Sequence, residues 1–274
     1  MAQNLPIAKK SFSMKLSLAL LTPLLFLMAC NKDNNTTTGG QATMSVYLTD
    51  DPAPYDKINI DIESVEVNTS ADSSDNGWQT LPMPHPGVYN LLHLRNGLDT
   101  LIASGLLPAG KISQIRLILG ANNSVEIAGV SFPLETPSAQ QSGLKLNLNT
   151  ELTAGIDYKI WTDFDAARSI VVTGNGKYML KPVIRVYTKA ISGTIRGTVL
   201  PATADAWVYT LSGIDTIASA RPDSLNGGFV IQGLSAGTYS IAIDGSNGYN
   251  DTTYNNMNVT DGSVTDIGTV QLHQ

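Results

Sequence analysis

The sequence predicts an all-β protein: two β-sandwich-like domains behind an apolar leader and a flexible tether. Three observations predict it. Strand-length segments recur at short spacing, separated by Gly, Pro, Asn and Asp clusters. Several of them alternate apolar and polar residues with a period of two. Helical periodicity is confined to one stretch of any length, residues 88–104.

The leader comes first. Lys9, Lys10 and Lys15 make a basic start, and Leu16 to Ala29 is free of charge and rich in Leu. A basic region, a short apolar region and small residues before a cut form the layout of a secretory signal. The apolar run is shorter than the ~20 residues a membrane-spanning helix needs. It ends in Leu27-Met28-Ala29-Cys30, and Cys30 is the chain's single cysteine. These four positions resemble the bacterial lipobox. The resemblance implies a lipoprotein signal peptide over 1–29, cleaved after Ala29, with Cys30 carrying the lipid (diacylglyceryl and palmitate-type acyl groups) on its nucleophilic sulfur. Met14 offers a second start for an equally compact signal. The expected location is the cell envelope, as an outer-membrane lipoprotein facing either the periplasm or the cell surface. Lys32-Asp33 is similar to charged signals that send some lipoproteins there.

Residues 30–41 read as a tether, since NKDNNTTTGGQ has no apolar side chain to bury. Loss of residues 1–29 removes three lysines and no acid. It leaves 14 basic against 23 acidic residues, a formal charge of −9. No basic run survives to meet phosphates, so nucleic acid is not an expected partner. With one cysteine there is no internal disulfide, and the fold must rest on packing.

The first domain is placed at 42–190. MSVYLT (44–49) alternates. KINIDIESVEV (57–67) puts Ile58, Ile60 and Ile62 on one face, and then the apolar phase slips at Ser64, which predicts a bulge. QIRLILG (114–120) and VEIAGVSFPL (125–134) read as a hairpin around 121–124. LKLNLN (144–149) and DYKIWTDFD (157–165) read as strands, as does KYMLKPVIRVYT (177–188) after the tight turn Gly174-Asn175-Gly176. VYNLLHLRNGLDTLIAS (88–104) is the helix candidate, with Gly97 splitting it. Asp165 is placed to cap one helical turn. The second domain is placed at 193–274. Seven short strand-like pieces separated by Gly- and Asp-rich turns fit a sandwich of about 80 residues.

Two resemblances rest on these segments. MSVYLTDDPAPYDKINIDIESVEV, GLLPAGKISQIRLILGANNSV and TDFDAARSIVVTGNGKYMLKPVIRV resemble the domain of unknown function 4382, over about 42 to 190. That implies a β-rich extracytoplasmic domain and no known activity. IRGTVL, AWVYTL and GGFVIQGLSAGTYSIAI resemble carboxypeptidase regulatory-like domains, which have a transthyretin-like or starch-binding-like sandwich. A carbohydrate-binding role follows from that resemblance by fold analogy alone.

Catalytic signatures are absent from the sequence. His85, His93 and His273 have no zinc spacing, and no Gly-x-Ser-x-Gly elbow occurs. No cofactor is expected. LTDDPAPYD gathers Asp50, Asp51 and Asp56, which read either as calcium ligands or as turn-forming carboxylates. Asp163 and Asp165 share one side of a strand, which permits glycoside hydrolysis, whereas capping by Asp165 is the simpler use. Trp161 and Trp207, flanked by apolar residues, are expected in the core. Tyr249 and Tyr254, in the polar stretch SNGYNDTTYNN, are candidate glycan contacts. The predicted function is a non-catalytic binding or adhesion module, with carbohydrate as a candidate ligand. The alternatives are a structural subunit of an outer-membrane complex and, behind both, a glycoside-type hydrolase. The expected partners are the membrane, through the lipid, and a glycan or an envelope protein.

Overall fold

The structure is a computed structural model describing residues 40–70, 76–137 and 142–274. The leader, Ala29 and Cys30 lie outside the described residues, as do most of the tether and residues 71–75 of the loop before Trp78. All described residues fall in one unit, 38–274. Two hydrophobic cores divide it into two lobes.

The first lobe runs through β1 (Gln41–Asp51), β2 (Lys57–Asn68), β3 (Trp78–Leu81), β4 (Gly87–Asn90), β5 (Thr100–Pro108), β6 (Gly110–Leu119), β7 (Ser124–Ile127), β8 (Val130–Glu135), β9 (Leu144–Leu152), β10 (Asp157–Asp165), the one-turn helix α1 (Ala166–Ser169), β11 (Ile170–Val172), β12 (Tyr178–Leu180) and β13 (Ile184–Tyr187). One sheet has the order β13-β10-β1-β5, with β1 and β10 parallel. The second has the order β11-β12-β8-β7-β2-β6-β9, with β3 and β4 also paired to β2. A single core draws on both sheets: Met44, Val46 and Leu48 from β1, and Ile58, Ile60 and Ile62 from β2. The pairing of β2 with β6 shifts register between Ile62 and Ser64, where the apolar phase slips. Val65 and Val67 thereby stay buried beyond the bulge.

The second lobe contains β14 (Gly193–Leu200), β15 (Trp207–Ser212), β16 (Asp215–Ala220), β17 (Gly228–Leu234), β18 (Gly237–Asp244), β19 (Thr252–Val259) and β20 (Val264–Gln271). They form sheets of order β17-β14-β20 and β16-β15-β18-β19 around Ile195, Val208, Phe229 and Ile241. The architecture is all-β and sandwich-like.

Three local expectations are corrected. The helix candidate over 88–104 is instead β4, a short 3-10 turn at Leu91–His93 and β5. The Asn90 side chain caps that turn by accepting from the Leu92 amide. Asn96 and Gly97 then take left-handed φ values of 55° and 80°, which no helix continues through. The expected hairpin around 121–124 is also absent. β6 and β7 lie end to end along β2, and the hairpin is β7–β8, closed by Ala128 and Gly129 at φ 49° and 75°. Positive φ at both central residues is the type I′ geometry that matches strand twist. Finally, the strand expected over 177–188 is two strands, β12 and β13, with Pro182 between them, because proline has no N–H for a ladder.

Candidate functional site

The sequence motif LTDDP does not form a loop at its aspartates. Asp50 and Asp51 are the last two residues of β1, and parallel pairing sets Thr49 opposite Asp163 and Asp51 opposite Asp165 of β10. Antiparallel pairing sets Arg185 of β13 opposite Asp163. Four carboxylates thus share one sheet end with one strand-borne arginine. Arg185 was not singled out in the sequence. Its signal was an arginine inside the apolar alternation of β13, which calls for a buried counter-charge.

Within this cluster the Arg185 Nη2 donates to Asp163 Oδ2, and its separation from Asp51 Oδ1 is 3.6 Å. Asp51 Oδ2 accepts from the Ser219 amide of the second lobe at 3.2 Å. Asp165 caps α1, accepting from the Arg168 amide at 2.9 Å and from Arg168 Nε at 2.5 Å. Asp50 differs from the others: it is 4% exposed, and among the described residues neither carboxylate oxygen has a hydrogen-bond partner of normal geometry. Burial, then the charges of Asp163 and Asp51, raise its pKa well above the ordinary carboxylate value, against a weaker pull from the Ala166 amide. Burial also raises Asp51 well above that range and raises Asp163, with Arg185 opposing both. Burial pulls Arg185 down, but the charges of Asp163 and Asp51 outweigh it and its pKa ends raised. Burial, then Asp163, pushes the Tyr187 phenol up. Asp163 and Asp165, the pair considered for hydrolysis, are therefore each committed, one to an arginine and one to a helix cap.

Asp56 does not join the cluster. It is exposed, and its Oδ2 accepts from the Gly129 amide at 2.9 Å, bracing the β7–β8 turn. Among the described residues no three His, Cys, Asp or Glu side chains are gathered as a metal ion requires.

Two wider cavities open where the lobes meet. The larger, about 780 Å³, lies between residues 92–98 of the first lobe and strands β14 and β17 of the second. Leu92, Leu98, Phe229 and Val230 supply its apolar surface, and Arg95, Arg196, Asp223, Asn226 and Asp266 its planar polar groups. His93 stands exposed on the same wall. The smaller, about 320 Å³, is walled by Pro54, Arg168, Trp207 and Tyr209. The Trp207 and Tyr209 rings lie near parallel (9°) with centroids 6.2 Å apart, and the Arg221 guanidinium sits 5.1 Å from the Trp207 ring. Trp207 is thus half-buried at a groove rather than in the core. Its side chain lies on the face of β15 opposite Val208, which takes the core position. Trp161 is buried as expected, stacked between Tyr47 and Tyr187 with Lys189 over its ring. Tyr249 packs against the second core and Tyr254 is 38% exposed on β19; neither lines these two cavities.

Among the described residues no helix is long and apolar enough to cross a membrane. Superpositions on solved structures are loose. The TIE protein of Bacillus anthracis is 10% identical, with 86% of this chain and 35% of that one covered and a TM-score of 0.24. The minor pilin of Streptococcus agalactiae is 11% identical over 85% of this chain and 95% of that one, with a TM-score of 0.22. A streptococcal ancillary pilin is 9% identical over 84% and 68%, with a TM-score of 0.24. The chain spans about a third of the length of the first of these, and likenesses this loose carry no functional argument. No curated protein matches the chain in sequence. Residues 41–182, a little over half of the chain, do match the model of the domain of unknown function (DUF4382), and the chain belongs to that family.

Proposed function

We propose that this chain is an envelope lipoprotein, held at the outer membrane by acyl groups on Cys30, and that its folded part is a non-catalytic carbohydrate-binding module of the cell surface. The observation that supports the binding reading is the cleft of about 780 Å³ at the lobe junction. Its volume suits a ligand of a few sugar units, and lobe junctions are frequent ligand sites. An apolar floor meets planar amide, carboxylate and guanidinium groups there, the combination that serves the C–H faces and hydroxyls of a sugar. Binding of the acylated, detergent-solubilised protein to a glycan array, with and without calcium, tests it. Retention of one glycan class supports the reading, and a blank array removes it. Replacement of the anchor, Cys30→Ser, is expected to release the protein from the membrane fraction; continued membrane association removes the lipoprotein reading.

A second reading, a structural subunit of an envelope complex, is favoured by two apolar side chains on turns of the second lobe. Ile214 is 96% exposed and Leu225 91%. Such side chains gain by burial against a partner. Stable co-purification with an envelope protein, lost in Ile214→Ser with Leu225→Ser, is its expected outcome.

A further inference from the structure

Most polar groups of the large cleft are already engaged. Arg196 Nε donates to Asp266 Oδ2 at 2.9 Å. Asp223 Oδ1 accepts from the amides of Leu225 and Asn226, both at 3.0 Å. Asn226 Oδ1 accepts from the Gly228 amide at 2.7 Å. His93 Nε2 lies 3.2 Å from the Asn90 side-chain amide. Arg95 is different: among the described residues its guanidinium has no ion pair and no hydrogen bond. Asp223 and Asp266 line the same cleft, so the missing partner is not for want of carboxylates there.

The backbone that carries Arg95 is, by contrast, tightly held. The Asp50 amide donates to Leu94 O at 3.1 Å, and the Leu98 amide to Arg95 O at 3.1 Å. Thr49 Oγ1 reaches Leu98 O at 2.8 Å, with Leu94 O as an alternative acceptor at 3.0 Å. From the second lobe, Arg221 O accepts from Asn96 Nδ2 at 2.8 Å. Gly97, at φ 80°, leaves just the room that Val230 and Gln232 need, since a Cβ would stand 3.0 Å from Gln232 Nε2. The loop is therefore fixed from both lobes before any ligand arrives, and Arg95 shares the cleft wall with Leu98, itself 62% exposed. A preorganised loop lowers the ordering cost of binding. A guanidinium is a planar fork that matches a carboxylate with two parallel hydrogen bonds.

We propose that the cleft selects glycans that carry a carboxylate, and that Arg95 is the residue that reads it. The inference rests on the carbohydrate-binding reading and names the ligand class for that same cleft. The probe is a polyuronate oligomer, compared by calorimetry with the same oligomer methyl-esterified, which removes the charge and keeps the sugars. A sulfated, carboxylate-free oligomer completes the set. The full protein is expected to bind the acid form roughly tenfold or more tighter than the ester, the scale of one charge-assisted pair. Arg95→Gln is expected to erase that difference, bringing the acid form down to the affinity of the ester for the same variant. Arg95→Lys, which keeps the charge without the fork, is expected to restore part of it. Equal binding of acid and ester, a preference for the sulfated oligomer, or an acid preference that survives Arg95→Gln overturns the inference while leaving the carbohydrate reading in place. Binding of no oligomer at all, with the array blank as well, removes the carbohydrate reading itself. Arg95 is not buried and packs in neither core, so the variants are expected to melt with the parent, which a thermal scan checks.

Discussion

Asp50 shows how a single side chain can set the pH behaviour of this fold. An ionised carboxylate beside two more carboxylates, with only the weak pull of the Ala166 amide to offset them, is costly to bury. Its folded pKa is raised above the 3.8 it takes in an open chain. Below that value both states hold the proton and no penalty arises. As pH rises above it, the unfolded chain releases the proton and the folded chain keeps it, so this contribution falls. The slope is at most ~1.4 kcal/mol per pH unit for each such group, until the folded pKa is reached. Asp51 and Asp163 act in the same direction. Asp50→Asn keeps the shape and removes the charge. It is expected to melt at or above the parent at pH 7.5 and to lose part of the parent's gain on acidification towards pH 5. Calorimetric scans of both proteins at the two pH values check this, and a variant that melts lower at pH 7.5 with an unchanged pH slope contradicts it. Glycine supplies a second residue-scale contrast. Gly129 and Gly233 both have left-handed φ, 75° and 72°. A Cβ on Gly129 meets nothing, whereas one on Gly233 runs into the ring of Tyr187. Gly129→Ala is therefore expected to cost about 1 kcal/mol of backbone strain, and Gly233→Ala clearly more, read as a larger fall in denaturant midpoint.

At the scale of elements, legibility in the sequence followed how local the cause was. The β2 bulge could be read because its signal, Ile58-Ile60-Ile62 slipping to Val65-Val67, is contained in twelve consecutive residues. The cap of α1 could be read for the same reason, Asp165 standing three residues before the amide it accepts from. The 88–104 stretch misled because leucines at helical spacing can equally belong to two strands on either side of a turn, and Gly97 was the only local hint. The β7–β8 turn was missed because Ala-Gly is a weak turn signal beside Asn-Gly, and Asp56, which braces it, lies 73 residues from Gly129. The acidic cluster was half legible. Its aspartates sit in two visible motifs, but the pairing of β1 with β10 that joins them spans more than a hundred residues. The central role of β2, paired with β3, β4, β6 and β7, leads to a prediction at this scale. Ile60 is fully buried in it. Ile60→Ala is expected to cost roughly 2–5 kcal/mol, the range of buried large-to-small changes, and to lower the chemical-denaturation midpoint without changing the slope.

For the whole molecule, the lobe junction is polar where each lobe's own core is apolar. Ser219 of β16 donates to Asp51, Arg221 O accepts from Asn96, and the Tyr187 hydroxyl donates to Gln232 at 3.4 Å. A junction of this kind couples two cores through a few directional bonds rather than through a continuous apolar surface, as interfaces between domains of one chain often do. Two of these links begin in segments that also shape the cleft: Asn96 adjoins Arg95, and Gln232 lies two residues beyond Val230. Lobe coupling and cleft geometry are thereby the same property. The expected consequence is one cooperative thermal transition for the parent and a broadened or split transition for Asn96→Ala combined with Tyr187→Phe, which removes two junction bonds and leaves both cores intact. The same double variant is expected to weaken the proposed glycan binding, because the loop presenting Arg95 loses its hold on the second lobe. Scanning calorimetry and the oligomer titration, run on the same preparation, separate the outcomes. A single sharp transition with undiminished binding means that the lobes are held by something other than these bonds.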